Sequence, residues 1–135
     1  MSLVEDKPKT SWRVYEGKHY SIEVVCWVKW VDRDKNEPVY GWNVYLYIMS
    51  EHNLYDKDSF LKDQLPWHCG CTYDSKVIEQ PFELKYDFQR VTEYKKIGSD
   101  YSHLYDDAYE TFSPSDGIPA SIHCDVLELI KTLED

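Results

Sequence analysis

No stretch of this chain reaches the roughly 18 consecutive apolar residues of a membrane-spanning helix, so no transmembrane helix is expected. The opening residues, Met1 to Thr10, are polar and lack the apolar core of a secretory signal. A cytoplasmic protein is the expectation. Its four cysteines, Cys26, Cys69, Cys71 and Cys124, are then read as reduced thiols and not as a disulfide framework. Basic residues are scarce: 15 Lys and Arg stand against 25 Asp and Glu, a formal net charge of −10. Nucleic acid and anionic membranes are bound through clusters of Lys and Arg, so direct binding to either is not expected. The acidic excess leaves two readings, a solvated surface or an acidic nucleic-acid mimic presenting carboxylates where DNA presents phosphates. There is no repeat, no low-complexity tract, no dividing linker, no Gly-rich phosphate loop and no nucleophile elbow.

What is present is material for a core. The 135 residues suit one domain. They are 42% hydrophobic and 16% aromatic, with 12 Tyr and 5 Trp, which argues against disorder. Residues 1–10, around Lys7-Pro8-Lys9, read as a flexible N-terminal arm, and 11–135 as a single α+β domain. From His19 to Val31 the even positions Tyr20, Ile22, Val24, Cys26, Val28 and Trp30 are all apolar. This two-residue period marks a strand with one face on a core. After the polar turn Asp32–Pro38 it resumes at Tyr40, Trp42, Val44, Leu46 and Ile48. The spacing predicts a long antiparallel hairpin, about 19–31 and 39–49. Its odd face carries Trp27, Tyr45 and Tyr47, which meet other elements of the fold or form a ligand or homodimer surface.

Further along, 51–66 reads as irregular with a helical turn near Lys57–Leu65. Phe82, Leu84, Tyr86 and Phe88 alternate with charged residues as in a strand. Residues 91–98 are a weaker strand ending at Gly98, and 99–117 is an acidic loop. Ile122, Val126, Leu129, Ile130 and Leu133 form one helical stripe, with Pro119 suited to the first turn. The resulting fold class is α+β, an antiparallel sheet with a C-terminal helix, about 119–133, packed on one face. Val24, Val28, Trp42, Val44 and Leu46 are expected to bury against Ile122, Val126, Leu129 and Ile130.

Three polar clusters concentrate chemistry: His52–Tyr55, His68–Tyr73 and Gly98–Asp107. His68, Cys69 and Cys71 offer three zinc-compatible ligands within four residues. A structural zinc site, however, needs a second pair, and Cys26, Cys124 and His103 supply only single groups. In an extended segment His68 and Gly70 face away from Cys69 and Cys71, so a shared ion requires a turn. A harder divalent ion is the alternative cofactor: Asp100, His103, Asp106 and Asp107, joined by His68, mix oxygen and imidazole ligands that could activate a water. The bland reading is that Asp100 and Asp106 cap turns while His68 and His103 make structural hydrogen bonds. Pairing Cys69 or Cys71 with His103 as thiol and imidazole finds no support in the spacing.

In order and spacing, over residues of about 42 to 133, these clusters resemble a family of small uncharacterised proteins from bacteriophages and bacteria. The family pattern runs G-H-P-L-Y-G, H-G-G-L-T-Y, W-x-G-F-D-x-A-H-x-x-D and a C-terminal helix. The matching stretches are Glu51–Asp56, His68–Tyr73 and Lys96–Asp106. Asn53 replaces the Pro of the pattern, Cys69 a Gly, and Cys71 the apolar position, so a metal site built on those cysteines would be peculiar to this chain. The resemblance implies a phage or mobile-element setting and a shared site at His68, Gly70, Thr72, Tyr73, Asp100, His103 and Asp106; it implies no reaction. The leading expectation is an accessory or interaction domain that binds a small ligand or a host protein at that site without a cofactor. The alternative is a metal-dependent hydrolase with His68, His103 and Asp106 as ligands and Asp100 as orienter or base. His68 and the Asp100–Asp106 loop are expected to lie close together.

Overall fold

A computed structural model describes residues 9–68, 70–81, 91–101 and 107–134. Five strands form one sheet: β1 (Lys9–Gly17), β2 (Tyr20–Asp32), β3 (Glu37–Met49), β4 (Tyr73–Pro81) and β5 (Val91–Asp100). All neighbours are antiparallel, and the spatial order is β1-β2-β3-β5-β4. A one-turn helix α1 (Asp107–Glu110) and the 15-residue helix α2 (Ala120–Glu134) complete the α+β fold. No helix among the described residues is long and apolar enough to cross a membrane.

The expected hairpin is β2–β3, in register from Tyr20↔Ile48 to Asp32↔Glu37. Its turn closes through the Asp32 carboxylate, which accepts from the amides of Asp34 and Lys35 at 3.0 and 3.4 Å. Asn36 takes the left-handed backbone the turn requires, at φ 53°. Alternation fails at one place. Val28 pairs with Tyr40 and Trp30 with Val39, leaving Lys29 as the extra residue of a β-bulge. The bulge exchanges the faces beyond it, so Trp30 leaves the core side and is 54% exposed. Val28, expected in the core, is half-buried at this end. β1 begins at Lys9, inside the expected arm, because Lys9 and Thr10 pair with Trp27 and Cys26.

The even face of the sheet is the core. Tyr20, Ile22, Val24, Cys26, Trp42, Val44, Leu46 and Ile48 are buried there with Ile97 of β5. α2 lays Ile122, Val126, Leu129 and Leu133 on this face, and Ile130 packs at the edge half-buried. Pro119 stands just before the helix instead of inside its first turn. Its carbonyl accepts from the amides of Ile122 and His123 at 3.0 and 3.2 Å, a role that needs no N–H of its own. Trp12 of β1 stacks on Trp42 at 5.7 Å, and Phe112 meets Trp42 edge-on at 6.0 Å. The expected strand over Phe82–Phe88 lies outside the described residues.

The odd face is an aromatic and ionic mosaic. Tyr45 and Tyr73 flank Gly98 in register and meet at 5.4 Å, while Tyr47 and Tyr94 meet at 5.9 Å. The Lys96 amine lies 4.2 Å from the Tyr45 ring and 5.3 Å from that of Tyr73. Trp27 donates to the Asn43 side chain at 2.8 Å, and Tyr47 to Glu23 at 2.8 Å. Burial, and then that bond to Glu23, push the Tyr47 phenol up. Gly98 permits this layer, since a Cβ there would lie 2.5 Å from the Tyr45 ring and from the Val44 carbonyl oxygen.

Candidate functional site

The segment His68–Tyr73 turns before it becomes strand. Leu65 and Trp67 are buried, and the Trp67 indole donates to the Leu61 carbonyl at 2.7 Å. That bond ties the segment to a short π-helical turn, Phe60–Gln64. The Gly70 amide then donates to the Trp67 carbonyl at 3.3 Å, and Gly70 sits at φ +93°, where a side chain would be strained. Gly70 therefore interrupts any extended run before β4, which begins at Tyr73.

Thr72 joins this turn to the end of β5. Its amide donates to the Gly98 carbonyl at 2.9 Å, and its hydroxyl accepts from the Asp100 amide at 3.1 Å. His68 stacks on Tyr101, with ring centroids 4.2 Å apart and planes 13° from parallel. The second and third sequence clusters therefore meet at their described members. His103 and Asp106 lie outside the described residues, as does Cys69. Cys71 is half-buried and directs its thiol to the Tyr73 carbonyl at 3.3 Å. Among the described residues, no group of three or more His, Cys, Asp or Glu is placed to hold a metal ion.

The two parts of the expected site face different surroundings. His68 belongs to an aromatic cluster with Tyr101 and Tyr109, the latter two 4.9 Å apart. The Tyr101 hydroxyl donates to Asp125 of α2 at 2.6 Å, and the Tyr109 and Ser121 hydroxyls share a hydrogen bond of 2.6 Å. Gly70, Thr72 and Tyr73 instead line a polar groove of about 570 Å³ together with Lys62, Asp63, Cys71 and Asp74. The Lys62 amine and the Asp74 carboxylate pair across it at 2.6 Å, both near 42% exposed. The hydrogen bond to Asp74 and that group's charge push the Lys62 amine up. An ion pair this exposed contributes little to stability, so an incoming ligand can open it at small cost.

The groove thus offers one cation, two carboxylates, a hydroxyl, a phenol, a thiol and the backbone of Gly70. Lys62, Asp63 and Asp74 were not singled out in the sequence, because Lys62 and Asp63 come from an irregular turn with no period to read. Tyr101 sat within the third cluster, but its partner Asp125 showed only as a polar neighbour of the α2 stripe.

The first cluster is built into the fold. The His52 Nδ1 accepts from the Leu54 amide at 3.0 Å, and its ring meets Tyr20 edge-on at 5.6 Å. Tyr55 is buried, and its carbonyl accepts from the Lys95 amine at 2.6 Å. Lys95, itself buried, also pairs with Asp58 at 2.6 Å and lies 4.4 Å from the Tyr55 ring. No protein-family model matches this sequence, and neither the curated proteins nor the solved structures yield a match.

Proposed function

We propose that this chain is a non-catalytic binding domain that takes a small polar ligand in the groove beside Gly70–Asp74. The observation that carries the reading is convergence: three residues of the expected site line one concavity of about 570 Å³, within the roughly 300–1,000 Å³ of small-molecule sites. Donors and acceptors of both charges line it, so the ligand carries both kinds of group. Thr72 is held in place beside the groove by its two hydrogen bonds to the end of β5. The motif order supports a phage or mobile-element setting. A cytoplasmic location, part of this reading, would keep the cysteines as reduced thiols.

The test is a set of amino acids, sugars and nucleosides added to the labelled chain and followed by amide chemical shifts. Saturable shifts confined to Lys62–Asp63 and Gly70–Asp74 are expected. Thr72→Val should weaken that binding about tenfold, the worth of one hydrogen bond to a polar ligand. Saturable shifts confined to other surfaces would sink the assignment. Stoichiometric binding of Mn²⁺ or Zn²⁺ that shifts His68, accompanied by ester hydrolysis, would replace it with the metal-dependent hydrolase.

A further inference from the structure

A second concavity, away from the groove, lies at the far end of the β2–β3 hairpin. It measures about 350 Å³, and its walls include Thr10, Cys26, Val28, Val31, Tyr40 and Pro114. The remaining walls are Trp27 and Pro38, so no Asp, Glu, Lys or Arg lines it, in a chain that is 30% charged. Cys26 forms part of the floor at 1% exposure, and burial pushes its thiol up to about 12. The lining is therefore neutral at physiological pH.

The bulge at Lys29 builds this hollow. By inserting one residue it brings Val31, an odd position, opposite Pro38 on the same side as Val28 and Tyr40. Without the bulge Val31 would face the aromatic side of the sheet, and the hollow would lose a wall. Bulges commonly re-aim side chains in this way. The Lys29 amine pairs with Glu110 of α1 at 3.3 Å. At the rim Val31 is 42% exposed, an apolar side chain left in water.

We propose that this hollow is a binding site for a small uncharged molecule of about one or two aromatic rings. Its volume lies at the low end of ligand pockets. The neutral lining excludes charged ligands, because burying an unpaired charge is costly. Thr10 and Tyr40 bring hydroxyl-bearing side chains suited to a single polar substituent.

Benzyl alcohol, benzoate and benzylamine form the test, each titrated into the full ¹⁵N-labelled chain. Benzyl alcohol should give saturable shifts at Cys26, Val28, Val31 and Tyr40, with a Kd of about 1–10 mM for so few atoms. Benzoate and benzylamine should bind at least tenfold more weakly. Val31→Lys places a charge at an exposed rim position and should weaken benzyl alcohol tenfold or more while leaving shifts elsewhere unchanged. Val28→Phe fills the hollow and should abolish binding. If Val28→Phe fails to fold, Val31→Lys decides alone. Non-saturable shifts, equal binding of the charged analogues, or affinity untouched by Val31→Lys would each overturn the proposal.

Discussion

Burial and the neighbouring His19 hold the His52 imidazole below its ordinary pKa, while Glu134 pulls it back up. The folded protein therefore binds this proton less readily than the unfolded chain does. The stabilising contribution of neutral His52 is present above the unfolded value of about 6.5 and is lost as pH falls from there through the lower folded value. The thermal midpoint should accordingly decline between about pH 7 and pH 5.5, before carboxylates begin to titrate. His52→Asn keeps a side-chain acceptor for the Leu54 amide but cannot titrate, so its profile should be flatter in that window; parallel profiles would exclude His52 as the source. The same residue shows what motif reading can and cannot separate. His52, His68 and Thr72 all stand in dense polar clusters, yet His52 fastens a turn, His68 stacks on Tyr101, and Thr72 lines the groove. Sequence identifies the polar segment; only packing decides whether its side chain points to a neighbour or to a cavity. Lys62 was invisible for a different reason, since it reaches Asp74 from a separate turn.

Helix α2 was legible because its apolar stripe repeats at helical spacing and every position of the stripe has one job. Ile122 and Leu129 are fully buried, while Leu127, on the opposite side, is 62% exposed. Leu129→Ala should therefore cost about 2–5 kcal/mol in denaturant unfolding, and Leu127→Ala under about half a kcal/mol. Equal costs would mean that the helix does not sit on the sheet in this orientation. The β2–β3 hairpin was legible for the same reason, a single period sustained over many residues. β1 was not, because a register shift between Arg13 and Tyr15 breaks its alternation: Trp12 pairs with Val24 and Tyr15 with Ile22. The Lys29 bulge hides Trp30's side in the same manner, while Val28, which precedes the bulge, keeps its face and is only half-buried because the core ends near it. A bulge adds one residue without a composition signal, so a two-residue period predicts the wrong face beyond it.

Charge is distributed over the molecule in a way that its ion pairs do not balance. The chain carries −10 overall. Lys29–Glu110 and Lys62–Asp74 are at least partly exposed pairs, each worth about 0–1 kcal/mol. Self-repulsion among the surplus carboxylates acts against the compact state, because unfolding moves them apart. Sodium chloride screens both terms: the Debye length falls from about 30 Å at 0.01 M to 3 Å at 1 M. Which term is larger fixes the sign of the salt effect. If the exposed pairs dominated, stability would fall with salt. With ten more negative than positive groups, repulsion should prevail, and the thermal midpoint should rise by about 2–5 °C between 10 mM and 0.5 M salt, equivalent to about 1 kcal/mol. Charge reversal distinguishes this from a general effect of the salt on apolar burial. Glu37 and Glu128 are exposed, and converting both to Lys changes the net charge from −10 to −6. The double variant should gain stability at 10 mM salt and show a shallower rise with salt than the parent. A midpoint that falls as salt is added would show that the ion pairs outweigh the repulsion; an unchanged slope in the double variant would assign the rise to ion exclusion from the apolar surface instead.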